Sequence, residues 1–363
     1  MTEKVVRKRP LGQSPARMLG HGMDPMDYLK LTERTEKGGE DFVDVCHEMG
    51  DAAYDYAVSE LEKGHKVTAS TFFLNASALY RLGDYGLTEK TEEKLTLYRK
   101  LVDSFERGKA LDIYEKPIKV EIPFMHSTMP GWLMIPENAP KDVPVGIVIP
   151  GATGFKEENY ISAYRLWERG LAALIFDGPG QGEAMLFRDY YYDLTNYEKA
   201  VKAVIDFVRA YPDVGDRVGL YGISYGGYLA ARTACFYNDE IDCVVSRGGT
   251  DDTALLIAND MIKPVVLHKF MMKFNTDDEE EAERLMRQMT IVEETKNITC
   301  PLLVLHTEHD FVLSVEGARR LYENASSEDK ELKLFPGPVH CADDDDVKAG
   351  SYIADWMAER LLG

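Results

Sequence analysis

The chain has 363 residues, 45% hydrophobic and 29% charged, which suits two globular domains, or one large α/β domain with an insertion. Its formal net charge of −20 argues against nucleic-acid binding, because a phosphate backbone needs a basic face. The 5 cysteines (Cys46, Cys235, Cys243, Cys300 and Cys341) are odd in number and scattered without a C-x-x-C pair, so they predict a reducing compartment, no disulfide framework and no zinc site.

"MTEKVVRKRP" is basic, but no apolar segment follows it, so no secretory signal is expected. No run reaches the roughly 18 apolar residues of a membrane span, which makes the cytoplasm the expected location. The first 25 or so residues read as a loose arm rich in Gly, Pro and basic side chains. From about 40 to 110 the pattern is helical. Phe42, Val45, Met49, Ala52, Ala53 and Tyr56 recur at helical spacing, as do Phe72, Phe73, Ala76, Leu79 and Tyr80. "LEKGHKVTAS" and "RLGDYGLTE" separate the helices. Paired helices of this kind resemble tetratricopeptide units, but no fixed period supports a repeat array.

After Pro117 the period changes. "IKVEIPF" and "GWLMIPE" read as strands, followed by the short apolar runs "VGIVIPG", "LAALIFDGPG", "RVGLYGIS", "DCVVSRGG" and "PLLVLHTEHD". Helical segments alternate with them. Strands buried on both faces and alternating with helices predict an α/β fold with a mostly parallel sheet. The interval from Gly249 to Thr299 is too long for a simple crossover and reads as a helical insertion, residues 250–298, overhanging the carboxyl ends of the strands. The expected division is an arm and helical cap region, 1–115, followed by a catalytic domain, 116–363.

Gly222-Ile223-Ser224-Tyr225-Gly226 fits G-x-S-x-G between a strand and the helix "GGYLAARTA", the context of a nucleophile elbow. A serine hydroxyl needs a base at neutral pH, and in this architecture the acid and then the histidine follow the serine. "PLLVLHTEHDFV" ends a strand at Asp310, and "LFPGPVHCADDDD" puts His340 in a loop after the last strand. Asp310 is expected to hold the imidazole, and His340 to act as base and then as acid. An oxyanion site needs two backbone N–H groups. One is expected from Tyr225 and the other from the loop Gly151-Ala152-Thr153-Gly154, at Ala152 or Thr153. That loop lacks the G-K-[ST] ending of a phosphate cradle.

His306 and His309 flank Asp310, but residues so spaced at a strand end face different sides and no third ligand is evident, so no metal is expected. Asp343 to Asp346 reads as a solvated, helix-starting charge cluster, and Cys341 as a small buried neighbour of the histidine. Tyr80, Tyr85, Phe270 and Phe274 could line an apolar pocket, although ordinary helix packing explains each as well.

Together "GISYGGYLA", "FDGPGQGE" (Phe176 to Glu183), "PGATGFKEEN", "LHTEHD" and "GPVHC" resemble a branch of the α/β-hydrolases. That branch holds 2,6-dihydroxypseudooxynicotine hydrolase, the fermentation–respiration switch protein and fungal hydrolases that shorten polyketide chains. The resemblance runs over most of the chain, since those proteins also carry a helical region ahead of the hydrolase core. It implies the α/β-hydrolase fold, a Ser224–Asp310–His340 triad, a cap over the site and a homodimer. It also implies cleavage of a C–C bond beside a ketone, or of an ester, in a mid-sized aromatic or polyketide-like small molecule without a cofactor.

Two departures stand out. The pseudooxynicotine hydrolase carries an aromatic residue where Arg247 precedes Gly248-Gly249 here, so Arg247 is a candidate substrate contact. It also uses an extra carboxylate in the next helical region, a role that none of Asp251, Asp252 or Asp260 matches securely. An acyltransferase, a cyclase or a plain carboxylesterase would use the same triad. A non-catalytic binding protein would not need a complete one.

Overall fold

The computed structural model describes residues 6–10, 13–20, 22–137 and 139–363. The chain forms two compact units, 1–117 and 118–363.

The first unit is helical: α1 (Pro15–Gly20), α2 (Pro25–Thr32), α3 (Phe42–Glu62), α4 (Lys66–Tyr85) and α5 (Glu92–Leu111). Side chains cap three of these where helices leave N–H groups unpaired. Asp24 accepts from the Met26 and Asp27 N–H groups, Asp41 from Asp44, and Thr91 from Lys94. The buried stripe of α3 is Phe42, Val45, Cys46, Ala53 and Ala57. Tyr56, counted with that stripe by its spacing, is exposed instead and stacks edge-on with Phe72. The arm is less loose than its composition suggests. Residues 1–5, 11, 12 and 21 lie outside the described set, but Arg7 is fixed by ion pairs to Asp41, Asp44 and Glu93, and its carbonyl accepts the Phe42 N–H at 2.9 Å.

The second unit runs β1 (Ile118–Phe124), β2 (Ser127–Met134), β3 (Val143–Ile149), α6 (Tyr160–Trp167), β4 (Ala172–Phe176), α7 (Gly182–Arg188), α8 (Asn196–Arg209) and β5 (Val214–Ile223). It continues with α9 (Tyr225–Tyr237), β6 (Cys243–Arg247), α10 (Lys263–Phe274), α11 (Glu279–Gln288), β7 (Leu302–Thr307), α12 (Val315–Asn324), β8 (Lys330–Phe335) and α13 (Asp346–Leu362). The strands form one sheet in the order β1-β2-β4-β3-β5-β6-β7-β8. The β1–β2 and β2–β4 pairs are antiparallel and all later pairs parallel. Every residue of β3, β4, β6 and β7 is buried, which is why those runs show no alternation. Helices α8 and α9 pack together against the sheet, and α6 and α13 pack together as a second pair, also against it.

The chain therefore reaches the carboxyl edge of adjacent strands repeatedly. The loops after β3, β5, β6, β7 and β8 gather there, at the edge where open α/β sheets hold their ligands.

Candidate active site

Ser224 sits between β5 and α9 with φ 58° and ψ −123°, a backbone state that costs a non-glycine residue about 1–3 kcal/mol. The sharpness of the turn explains its glycines. A Cβ at 222 would lie 1.9 Å from the Gly226 carbonyl oxygen, and one at 226 would lie 2.2 Å from that of Ile149. Two backbone bonds hold the turn: Ser224 N–H donates to the Arg247 carbonyl at 2.7 Å, and Gly227 N–H donates to the Ser224 carbonyl at 2.8 Å.

Asp310 and His340 are brought together by an extension of the β7–β8 ladder beyond its regular register. Glu308 N–H donates to Phe335 O (2.9 Å), His309 N–H to Gly337 O (3.2 Å) and Phe311 N–H to Pro338 O (3.3 Å). The Thr307 hydroxyl donates to Val339 O at 2.9 Å. Gly337 turns the chain at φ 99°, a conformation glycine adopts without strain.

The three side chains form one line. His340 Nδ1 lies 2.7 Å from Asp310 Oδ2, and Nε2 lies 2.7 Å from Ser224 Oγ. Asp310 Oδ1 accepts the Val312 and Leu313 N–H groups at 2.8 and 3.1 Å. With the carboxylate accepting from Nδ1–H, Nε2 is left to accept the serine proton. Burial opposes the Asp310 charge, but His340 and the backbone donors bring its pKa below the ordinary carboxylate value. Burial likewise opposes the imidazolium, yet the Cys341 sulfur and the Asp310 carboxylate hold His340 well above its ordinary pKa.

Tyr225 is the first residue of α9, so its N–H has no partner within the helix. The Gly151–Gly154 loop lies against the serine from the other side. A Cβ on Gly151 would be 3.2 Å from Ser224 Cβ and 3.7 Å from Oγ, and Gly154 N–H closes the loop onto Gly151 O at 3.1 Å. Ala152 and Thr153, both half-buried, occupy its tip.

The loop is clamped at both ends by side chains whose positions "FDGPGQGE" and "FKEEN" contain but whose task the sequence leaves unstated. Gln181 donates from Nε2 to Pro150 O at 2.7 Å, while its Oε1 accepts from Gly178 N–H and the Tyr197 hydroxyl. Asp177 accepts the Lys156 N–H at 2.9 Å and the Glu183 N–H at 3.0 Å. Lys156 Nζ is fully buried among Glu157, Asp177 and Glu183. Burial opposes its charge, but those carboxylates raise its pKa well above the ordinary value. Burial also pushes Glu157 up to about 7.

Arg247 is placed differently from the expectation of a substrate contact. Its side chain is 2% exposed, and it donates to Cys341 O at 2.8 Å, the Tyr221 hydroxyl at 3.2 Å and Asp346 Oδ1 at 2.9 Å. Its donors point into protein. The Asp343–Asp346 run is correspondingly not all solvated, because Asp346 also accepts from Arg165 at 2.6 Å. Cys341 is buried, as expected from its setting.

His306 is buried, 4.0 Å from Asp310. Among the described residues no three His, Cys, Asp or Glu side chains gather as a metal-holding group, and no helix is long and apolar enough to cross a membrane. Phe270 and Phe274 are buried and pack with Tyr192, and Phe270 meets Tyr225 edge-on at 5.1 Å, so both belong to the buried core. Tyr80 is buried in the helical unit with its hydroxyl on Asp51. An open cavity of about 370 Å³ is lined by Leu255, Asn259, Glu308, Phe311 and Asp310 itself.

Residues 78–255 match the X-Pro dipeptidyl-peptidase family (S15), and residues 279–345 match serine aminopeptidase, S33. The chain is 28% identical over 236 residues to 2,6-dihydropseudooxynicotine hydrolase of Paenarthrobacter nicotinovorans, covering 64% of this chain and 62% of that protein. It is 32% identical over 186 residues to the hydrolyase poxO of Penicillium oxalicum, covering 48% of this chain and 44% of that one. The matched segments thus span less than two thirds of either relative. Among solved structures, 2,6-dihydroxy-pseudo-oxynicotine hydrolase superposes with a TM-score of 0.85 at 22% identity, covering 96% of both chains. Est1E from Butyrivibrio proteoclasticus with ferulic acid bound gives 0.54 at 21% identity, over 67% of this chain and 100% of that one. The fold is the α/β-hydrolase fold, and the resemblance read from the motifs extends to these proteins.

Proposed function

We propose that the chain is a serine hydrolase in which Ser224 attacks a carbonyl carbon, His340 moves the proton and Asp310 holds the imidazole. The observation that carries this reading is the unbroken Ser224–His340–Asp310 hydrogen-bonded line, made by residues 116 and 30 positions apart.

His340 Nε2 takes the hydroxyl proton as Ser224 Oγ bonds to the carbonyl carbon. The oxyanion is received by the Tyr225 N–H and by an N–H of the Gly151–Gly154 loop, at Ala152 or Thr153. Collapse of the tetrahedral species breaks the bond to the leaving group, which takes the proton from Nε2. For an ester the proton goes to an alkoxide oxygen. For a β-diketone it goes to the enolate carbon, whose negative charge the remaining ketone spreads. Water then attacks the acyl-serine, His340 accepts its proton, and the acid is released with Ser224 restored.

The name of the first relative, 2,6-dihydropseudooxynicotine hydrolase, supports an aromatic small molecule as the kind of substrate, and cleavage of a C–C bond beside a ketone is part of this reading. The substrate class proposed is a mid-sized aromatic or polyketide-like ketone or ester, handled without a cofactor. The free cysteines are all buried, in keeping with a cytoplasmic location.

Turnover of a panel of p-nitrophenyl esters and aryl β-diketones tests the reading. Wild type is expected to turn over at least one of them, and Ser224→Ala to lose at least about 10⁴-fold in kcat with its fold intact. Equal turnover by the two proteins would overturn it.

A further inference from the structure

The residue at the end of β6 touches both the nucleophile's turn and the base's loop. Its carbonyl accepts the Ser224 N–H at 2.7 Å. Its side chain donates from Nε to the carbonyl of Cys341, the residue directly after His340, at 2.8 Å. The Cys341 thiol reaches back toward the same Arg247 carbonyl at 3.7 Å.

The loop held this way is strained. Cys341 and Ala342 both adopt left-handed backbone angles, φ 59° and 54°, which non-glycine residues take up only when their surroundings impose them. The glycine after Arg247 permits this close approach, because a Cβ on Gly248 would meet Cys341 Sγ at 2.4 Å. The guanidinium is buried but not uncompensated. Asp346, at the start of α13, accepts at 2.9 Å, Asp343 lies at 3.5 Å, and Tyr221 on β5 accepts at 3.2 Å. A planar cation with five fixed donors can meet a carbonyl, a hydroxyl and a carboxylate at once.

Resting on the triad reading above, we propose that Arg247 is a positioning residue that sets the His340 imidazole against Ser224. One residue fixes the serine through its backbone and the histidine's loop through its side chain. A displacement of either by about 1 Å is expected to lower the rate by about two orders of magnitude without touching substrate affinity.

Three variants, Arg247→Met, Arg247→Lys and Asp346→Asn, test this on the full chain. Titration with a fluorophosphonate counts competent sites, so kcat is expressed per site and any misfolded fraction is removed. Arg247→Met is expected to lose about 100-fold in kcat with KM within about 3-fold. It is also expected to lose the downfield proton resonance of the His340–Asp310 hydrogen bond. Arg247→Lys, which can still bond one of the partners, is expected to recover part of both. Asp346→Asn leaves the bond to Cys341 in place and is expected to lose less than Arg247→Met.

If Arg247→Met kept wild-type kcat per site and its downfield resonance while Ser224→Ala was inactive, the positioning role would be wrong and the triad would stand. If wild type neither labelled nor turned over, the triad reading itself would fail. A rise in KM at unchanged kcat in Arg247→Met would instead assign the residue to substrate binding.

Discussion

At the scale of single residues, the site is a set of side chains held where unaided chemistry would not keep them. Ser224 occupies a strained backbone position in a turn that Gly222 lets fold back onto Gly226 and that Gly226 lets approach the end of β3. Asp310 stays ionised though buried, since His340 and two backbone N–H groups compensate it. The raised pKa of His340 has a definite consequence for rate. The base works only when neutral, so activity rises as pH climbs through its pKa, and a raised pKa moves that rise upward. The acidic limb of kcat/KM is expected to have its midpoint above the ordinary histidine value of about 6.5; a midpoint at or below it would contradict the assigned environment. The three triad positions were legible in the sequence because each sits in a local pattern: a glycine-flanked turn, an acid at a strand end, and a histidine after the last strand. Arg247 was not, because a long side chain selects its partners in three dimensions. Nothing local to "SRGG" tells a guanidinium facing substrate from one facing Cys341 and Asp346. The same holds for Asp346, whose acidic neighbours suggest solvent while Arg165 and Arg247 draw it inward.

At the scale of elements, short connections carry the precision. The β7–β8 ladder continues past its last regular pair into the two loops that hold acid and base, so the strands themselves set the spacing between Asp310 and His340. The loop after β3 is fixed by Gln181 at Pro150 and by Asp177 at Lys156. Gln181 touches no reacting atom in the proposed mechanism, yet its amide joins two loops at the carboxyl edge of the sheet. Gln181→Ala is therefore expected to lower kcat by about 10- to 100-fold while KM changes little, because a loosened oxyanion donor acts on the transition state. An unchanged kcat would mean that Asp177 and Lys156 alone fix the loop. The strand and helix order was readable from buried apolar runs alternating with amphipathic segments. The clamps were not, because a Gln or Lys in a glycine-rich loop reads as solvent-facing until its burial is known.

At the scale of the molecule, the chain is two compact units joined near Pro117. The change from helical to strand periodicity at that point has a physical origin in each unit burying its own core. In the segment between α5 and β1, Tyr114 is 78% exposed, and brief chymotrypsin treatment is expected to cut there first and leave two resistant fragments; earlier cuts within either unit would contradict the division. The central claim concerns three distant positions meeting in one folded chain, and covalent labelling reads that meeting directly. Wild type treated with a fluorophosphonate should carry one adduct, mapped by peptide mass to Ser224. The labelling rate should fall by about 10⁴-fold in Asp310→Asn, in line with measured triads. An adduct on another residue, or unaltered labelling of Asp310→Asn, would contradict the account.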